Sequence, residues 1–185
     1  MKKIILVLVF TIPVLMQAQV PAFKKEFKPQ IDLSLIVGIQ NNKNFDASAP
    51  VYGVEFSLEC PFIQTRKSHI RQQVSLIRQE GKELKTLTVE LSPQYKIISK
   101  PSFELGVGPG AGLIFTKARE DNRAIFSYGL GASVIYHFKK FFIGLENRYA
   151  LTKKISLDDS KTESTLFGNL NNLRSIVKIG YKLYK

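Results

Sequence analysis

Two histidines, His69 and His137, are the candidate general bases of this chain of 185 residues. A histidine can activate a serine or take a proton from a substrate only when the groups lie within hydrogen-bond reach. Both histidines fall on the polar face of a predicted β-strand, near strand ends that short turns connect. If that face is enclosed by protein, substrate cannot reach them, so the pattern favours a structural role for both.

A glycine motif raises a second kind of chemistry. Gly106, Gly108 and Ala111 match a loose G-x-G-x-x-G/A pattern, but a dinucleotide site requires a glycine turn that opens a helix. Pro109 and the continuing alternation predict a strand instead. Cys60 is the single cysteine, so an intrachain disulfide and a cysteine metal cluster are both excluded. We therefore expect no cofactor and no metal site.

The remaining candidates are ionised side chains that share the polar faces of the predicted strands with glycine. They are Glu55, Glu59, Arg71, Glu90, Glu104, Glu146, Arg148, Arg174 and Lys178. With Asp32 and Lys182 added, acids and bases on these faces nearly balance, although the whole chain carries a net charge of +12. Buried charges need partners, so the set predicts a salt-bridge network that fills a lumen. A charged lining of a narrow pore is the alternative.

Strands are predicted because apolar and polar residues alternate with a period of two. Residues 125–151 show this best: IFSYGLGASVIYHF and FFIGLENRYAL are separated by two lysines, which predicts a hairpin. Each run is about ten residues or longer, the length of a tilted strand that crosses a bilayer.

The same alternation predicts eight strands in all. They are 31–40, 51–62, 67–79, 84–98, 103–116, 125–138, 141–151 and 170–185. A helix competes at 67–79, because Gln72 falls on the apolar face. Connections 41–50, 80–83, 117–124 and 152–169 are mostly longer and more polar than 61–66, 99–102 and 139–140. Long loops at one end and short turns at the other are typical of an outer-membrane barrel.

Alternation alone does not say which face is inside, and a soluble lipocalin-like barrel would put the apolar face inward. Glycine beside long charged side chains suits a narrow polar interior. Aromatic residues gather near the short turns (Phe62, Tyr95, Phe103, Phe138, Phe141 and Tyr181) and near the long loops (Phe45, Tyr52, Phe115, Phe126, Tyr149 and Phe167). Two such belts match the two membrane interfaces, which favours the apolar face outside.

The first residues have the pattern of a secretory signal peptide. Lys2 and Lys3 precede an apolar run over 4–16, and Ala18 suits the cleavage site. We therefore predict a signal peptide at 1–18, an extended lead-in at 19–30 and a barrel domain at 31–185. Export argues against a nucleic-acid partner despite the positive charge, which instead suits anionic lipid head groups.

The signal ending in QAQ, the eight spans, GVGPGAG and the last strand IVKIGYKLYK together resemble the small outer-membrane β-barrels of the OmpX type and the OmpA transmembrane domain. The resemblance implies an all-β, eight-stranded, antiparallel, up-and-down transmembrane barrel in the outer membrane of a Gram-negative bacterium. It also implies a monomer, placed in the membrane by the barrel-insertion machinery among outer-membrane lipid and lipopolysaccharide. Such families often end on an aromatic residue, for which Tyr181 and Tyr184 are the nearest candidates.

The function expected from this resemblance is that of a structural or interaction scaffold, not an enzyme. Loops 41–50, 117–124 and 152–169 would be displayed to an extracellular ligand. A narrow porin-like channel for small solutes is one alternative. A lipid-modifying enzyme is the other, because some such barrels are lipid A hydrolases or acyltransferases that use His with Ser or Glu.

Overall fold

The computed structural model describes residues 30–42, 48–59, 70–81, 84–118, 121–153, 155–158 and 165–184. The predicted signal peptide at 1–18, nearly all of the predicted lead-in, Cys60 and His69 lie outside these ranges. Among the described residues there is no helix long and apolar enough to cross a membrane.

The described residues form eleven strands. They are β1 (Ile31–Asn42), β2 (Ala49–Glu59), β3 (Ile70–Glu80), β4 (Lys85–Leu91), β5 (Gln94–Lys100), β6 (Phe103–Ala118), β7 (Asp121–Phe138), β8 (Phe141–Thr152), β9 (Ile155–Asp158), β10 (Thr165–Gly168) and β11 (Asn172–Tyr184). Strands β4 and β5 are two halves of one barrel strand, since both pair with β3 and with β6. Strands β9 and β10 form a separate hairpin.

The barrel closes without an open edge. Each barrel strand pairs antiparallel with its neighbour in sequence, and β1 pairs with β11 from Ile31 opposite Tyr184 to Asn42 opposite Asn172. The prediction of an eight-stranded, antiparallel, up-and-down barrel is thus confirmed. Closure satisfies the backbone groups that an edge strand would leave unpaired. The helix considered for 67–79 is wrong where the structure describes that segment, because Ile70–Glu80 is a strand.

The apolar face is outside. Leu130 is 70% exposed and Leu35 is 66% exposed, whereas Glu146, on the inner face, is 2% exposed. Phe126 and Val134 also face outward. The soluble lipocalin-like alternative is therefore wrong, because it requires these residues to fill the interior.

The two ends of the barrel differ. The short-turn end carries two-residue turns at 101–102 and 139–140, and Lys139 adopts a left-handed φ of 52° in the second turn, as tight hairpins require. The opposite, long-loop end carries the connections around 43–48, 81–84 and 153–171, the last of which includes the β9–β10 hairpin. The predicted hairpin across 139–140 is confirmed.

Several predicted boundaries are wrong. The predicted loop 117–124 is mostly strand, because Lys117 pairs with Asn122 and Ala118 with Asp121. Charged residues can continue the ladder there, since strands that leave the apolar band remain hydrogen-bonded to each other. The last strand begins at Asn172 rather than at 170.

The fourth predicted strand, 84–98, is interrupted at its middle. Pro93 has no N–H to donate, and the strand assignment stops at Leu91 and resumes at Gln94. A register shift between Lys96 and Ile98 then forms a bulge, which interrupts the alternation so that Ile97 and Ile98 are both exposed.

Candidate functional site

Six charged side chains form a row of alternating sign in the middle of the lumen. We call this row the middle chain. In order, its members are Glu55, Lys178, Glu146, Arg148, Glu90 and Arg174. Lys178 Nζ lies 2.5 Å from Glu55 Oε2 and 2.7 Å from Glu146 Oε2. Arg148 Nε lies 3.1 Å from Glu146 Oε1 and 2.9 Å from Glu90 Oε1. Arg174 Nη2 donates to Glu90 Oε2 at 2.7 Å. Every charge in the chain therefore has an opposite charge as its neighbour.

The alternation of side chains along β8 and a glycine on the neighbouring strand explain how the middle chain fits into the lumen. Glu146 and Arg148 lie two residues apart on β8 and so share its inner face. The Arg148 guanidinium lies against Gly131 of β7, where a Cβ would stand 2.9 Å from Arg148 Cζ. Glycine at that position therefore makes room for the arginine in a narrow barrel.

A second cluster lies at the short-turn end. Arg71 Nη2 is 2.9 Å from Glu104 Oε2 and 3.6 Å from Asp32 Oδ2. Lys96 Nζ lies 3.0 Å from Glu104 Oε1 and also pairs with Glu59. Arg71 is 3.8 Å from Glu59. The carboxylates of this cluster therefore share two cations.

One glutamine lies between the two clusters. Gln94 Nε2 donates to Glu146 Oε2 at 3.0 Å in the middle chain, and the Ser133 hydroxyl donates to Gln94 Oε1. Gln94 also lines a cavity of about 10 Å³ beside Arg71 and Lys96, which has room for about one water molecule. Charged and polar side chains thus occupy the middle and the short-turn end of the described lumen.

Two clusters of buried apolar side chains also occupy the lumen. One consists of Leu84, Ile114, Ile125 and Leu170 and lies toward the long-loop end. The other consists of Ile36, Val51, Ile77 and Ile176 and lies beside the middle ion pairs, since Ile36 is opposite Lys178 and Ile176 is opposite Glu146 in the sheet. Leu170 is 1% exposed, and its backbone N–H donates to Thr152 Oγ1 at 2.7 Å. We call these eight residues the apolar cap. Sequence alternation does not predict this cap, although isoleucines on otherwise polar strand faces are a signal for it.

The predicted network residues all occur in these two clusters. Glu59, Arg71 and Glu104 belong to the short-turn cluster, and the other six form the middle chain. Lys96 was not among the predicted residues. It lies two residues after the inward-facing Gln94, and residues two apart on a strand share a face, so the sequence could have identified it. The prediction also left Asp32 out of the network while placing it on the polar face.

His137 is enclosed by the barrel. Its Nε2 lies 2.9 Å from Glu104 Oε1, and its ring packs edge-on against Phe142 at a centroid distance of 5.9 Å. The side chain is buried, so a lipid outside the barrel does not contact it. His69 is outside the described residues. In the described part of the chain, no group of three or more His, Cys, Asp or Glu side chains could hold a metal ion.

No family model matches the chain, and no curated protein matches it. Several solved structures are similar. Neisserial surface protein A aligns with a TM-score of 0.53 and 11% identity over 84% of this chain and 97% of that chain. The outer membrane enzyme PagL aligns with a TM-score of 0.51 and 13% identity over 81% and 98%. The outer membrane protein OprG from Pseudomonas aeruginosa aligns with a TM-score of 0.50 and 11% identity over 85% and 95%.

The fold is that of the small outer-membrane β-barrels. The architecture expected from the resemblance to OmpX and the OmpA transmembrane domain is therefore confirmed. Identities of 11–13% show the fold alone. Since PagL is an enzyme with this same small outer-membrane β-barrel fold, the fold does not decide between scaffold, channel and enzyme.

Proposed function

We propose that the protein is an outer-membrane β-barrel of a Gram-negative bacterium that serves as a structural and interaction scaffold with a sealed lumen. The observation that carries this proposal is the described interior. Two ion-pair clusters occupy its middle and its short-turn end, and the buried residues of the apolar cap lie beside the middle ion pairs and toward the long-loop end. A polar, open channel is what a porin needs, whereas apolar constrictions exclude water and ions.

The outer surface supports a membrane location. Tyr95, Phe138, Phe141 and Tyr181 are exposed near the short-turn end, and Tyr52, Phe115, Phe126 and Tyr149 are exposed near the long-loop end. Between the two groups most outward side chains are aliphatic, as at Val134 and Leu145. Aromatic residues prefer the two interfaces of a bilayer and aliphatic residues its centre. In water this surface would favour aggregation.

The orientation that fits this surface places the short turns in the periplasm and the long-loop end outside. The displayed features are then the 43–48 connection, the β6–β7 hairpin and the β9–β10 hairpin. Binding surfaces commonly lie on such connections, which a rigid sheet holds in place. The extracellular partner would contact these segments. A closed sheet offers no edge for strand addition, which fits a monomer inserted by the barrel-insertion machinery.

Two measurements test this proposal together. Membrane fractionation should recover the protein with the outer membrane, and its gel migration should shift on boiling, because a closed barrel resists detergent until heated. Planar-bilayer recordings of the purified protein should show no channel steps. Recovery without detergent would contradict the membrane location, and regular steps would contradict the sealed lumen in favour of a narrow channel.

A further inference from the structure

We propose that the outer wall at the long-loop end binds lipid A, the phosphorylated and multiply acylated anchor of lipopolysaccharide. Arg78 and Lys85 would hold its phosphates, and Leu87 and Phe115 would contact its acyl chains. This inference rests on the proposed function, because it requires the long-loop end to lie at the outer leaflet.

A groove of about 490 Å³ lies at this place on the wall. Its outward lining follows the register of the sheet: Arg78 is opposite Leu87, Leu87 is opposite Phe115, and Phe115 is opposite Ala124. The four side chains therefore form one row across β3, β4, β6 and β7. All four are exposed, so a lipid can reach the row from the side.

Charge and apolar surface are stacked in the order that such a lipid needs. Lys85 lies two residues before Leu87 on the same outward face of β4, nearer the long-loop end. Arg78 is level with Leu87, but its guanidinium reaches Glu80, two residues nearer the long-loop end. A phosphate bound by Lys85 and Arg78 would thus lie above acyl chains packed on Leu87 and Phe115. Arginine binds phosphate through two parallel hydrogen bonds, and lysine binds it as a point charge.

One carboxylate competes for the two cations. Arg78 Nη2 lies 2.5 Å from Glu80 Oε1, and Lys85 Nζ lies 3.3 Å from Glu80 Oε2. Glu80 thus lies between the two cations at the end of β3. Two cations against one carboxylate leave positive charge for a phosphate, and loss of the Glu80 charge would increase it.

The apolar half of the groove favours a lipid over a free anion. Leu87 and Phe115 are 40% and 43% exposed and line the same space as Arg78 and Lys85. Inorganic phosphate would contact only the cations. A lipid contacts both halves, so removal of either half should weaken its binding.

Native mass spectrometry of the detergent-extracted full chain, titrated with hexa-acylated bisphosphorylated lipid A, tests the site. The Arg78→Gln/Lys85→Gln variant should bind about thirtyfold more weakly, because each cation at an anionic surface contributes about fivefold. Glu80→Gln should bind about fivefold more tightly. Lys100→Gln/Lys140→Gln is the matched control, because it removes two exposed cations at the short-turn end, and it should bind like the wild type.

Three results would overturn the site: equal affinity of the Arg78/Lys85 variant and its control, equal binding of dephosphorylated lipid A, or displacement of bound lipid A by millimolar inorganic phosphate. Should the double variant fail to fold, Lys85→Gln alone carries the test, with about fivefold weakening expected. Boiling-dependent gel migration and outer-membrane recovery of the wild type are measured in parallel. If both fail, the proposed function is overturned together with this site; if both hold and the affinities are equal, only the site is wrong.

Discussion

Arg148 and Arg174 occupy directly opposed positions on the inner faces of β8 and β11. Like charges at opposed positions destabilise a sheet, yet both side chains are buried here. Glu90, which reaches them from β4, lies within 2.9 Å of Arg148 and 2.7 Å of Arg174. The Glu90 carboxylate therefore offsets the repulsion between the two arginines. Its two ion pairs also connect β4 to β8 and β11 across the lumen.

We expect Glu90→Gln to lower the free energy of unfolding by about 3–5 kcal/mol, because removal of one partner leaves buried charge uncompensated. Urea unfolding in lipid vesicles measures the change. Glu80→Gln is the control: it removes a carboxylate that also pairs with two cations but does so at the surface, so its unfolding curve should match the wild type. An equal effect of the two substitutions would contradict a structural role for the buried chain.

Gly131→Ala should also destabilise the barrel. Its new Cβ would stand 2.9 Å from Arg148 Cζ, so the guanidinium would have to move away from Glu90 and Glu146, and overpacking of this kind costs about 1–3 kcal/mol. Gly144→Ala on β8 is the matched control, since its Cβ would meet nothing closer than Ile135 Cγ1 at 3.3 Å. The midpoint of boiling-dependent gel migration should fall for Gly131→Ala and stay near the wild-type value for Gly144→Ala.

Leu145→Arg separates a lipid-facing surface from a water-facing one. Leu145 lies midway between Phe141 and Tyr149 on β8. It is 50% exposed, so arginine would be neutral or favourable there in water. At the centre of a bilayer the same substitution costs about 2–4 kcal/mol, and near an interface only about 0–1 kcal/mol. Phe141→Arg at the short-turn end should therefore be nearly neutral, as vesicle refolding titrations would show. A neutral Leu145→Arg would contradict insertion at that depth.

Lipid A from cells that express His137→Ala should have the same mass profile as lipid A from cells that express the wild type. The reason is position: His137 lies inside the barrel beside Glu104 and Phe142, away from the lipid-facing wall. His69→Ala, at a position outside the described residues, is compared in the same experiment. A lost or gained acyl chain in either variant would support the enzyme alternative.

The alternation of apolar and polar residues determines how much of this structure could be predicted from the sequence. A period of two assigns each residue to a face, which is why Glu55, Glu146 and Lys178 could be placed together on one side of their strands before any pairing was known. Alternation does not encode which residues meet across the lumen. The contact of Glu90 with Arg174 depends on shear and closure, which no local pattern contains.

The errors have local physical causes. Charge at 117–124 predicted a loop, but the ladder continues to Ala118 and Asp121 because strands may extend past the apolar band. Lys96 was not predicted as a member of the network, although it is two residues from Gln94 and therefore shares its inward face. The apolar cap was not predicted because Ile36, Ile114 and Ile176 lie singly on predominantly polar strand faces, and alternation does not show that they converge with other apolar residues in two clusters.

The most direct test of the central claim is a depth scan of β7 by spin labelling in reconstituted vesicles, with Cys60 replaced by serine. Labels at Phe126, Leu130, Val134 and Phe138 share the outward face, and Lys139 in the turn is the control. The account predicts that collisions with dissolved oxygen are most frequent at Leu130 and Val134, which lie on either side of the midpoint between Phe126 and Phe138, while a water-soluble nickel chelate reaches Lys139 but neither of these two positions. Access of the chelate to all positions, with no oxygen maximum along the strand, would contradict a barrel whose apolar wall faces lipid.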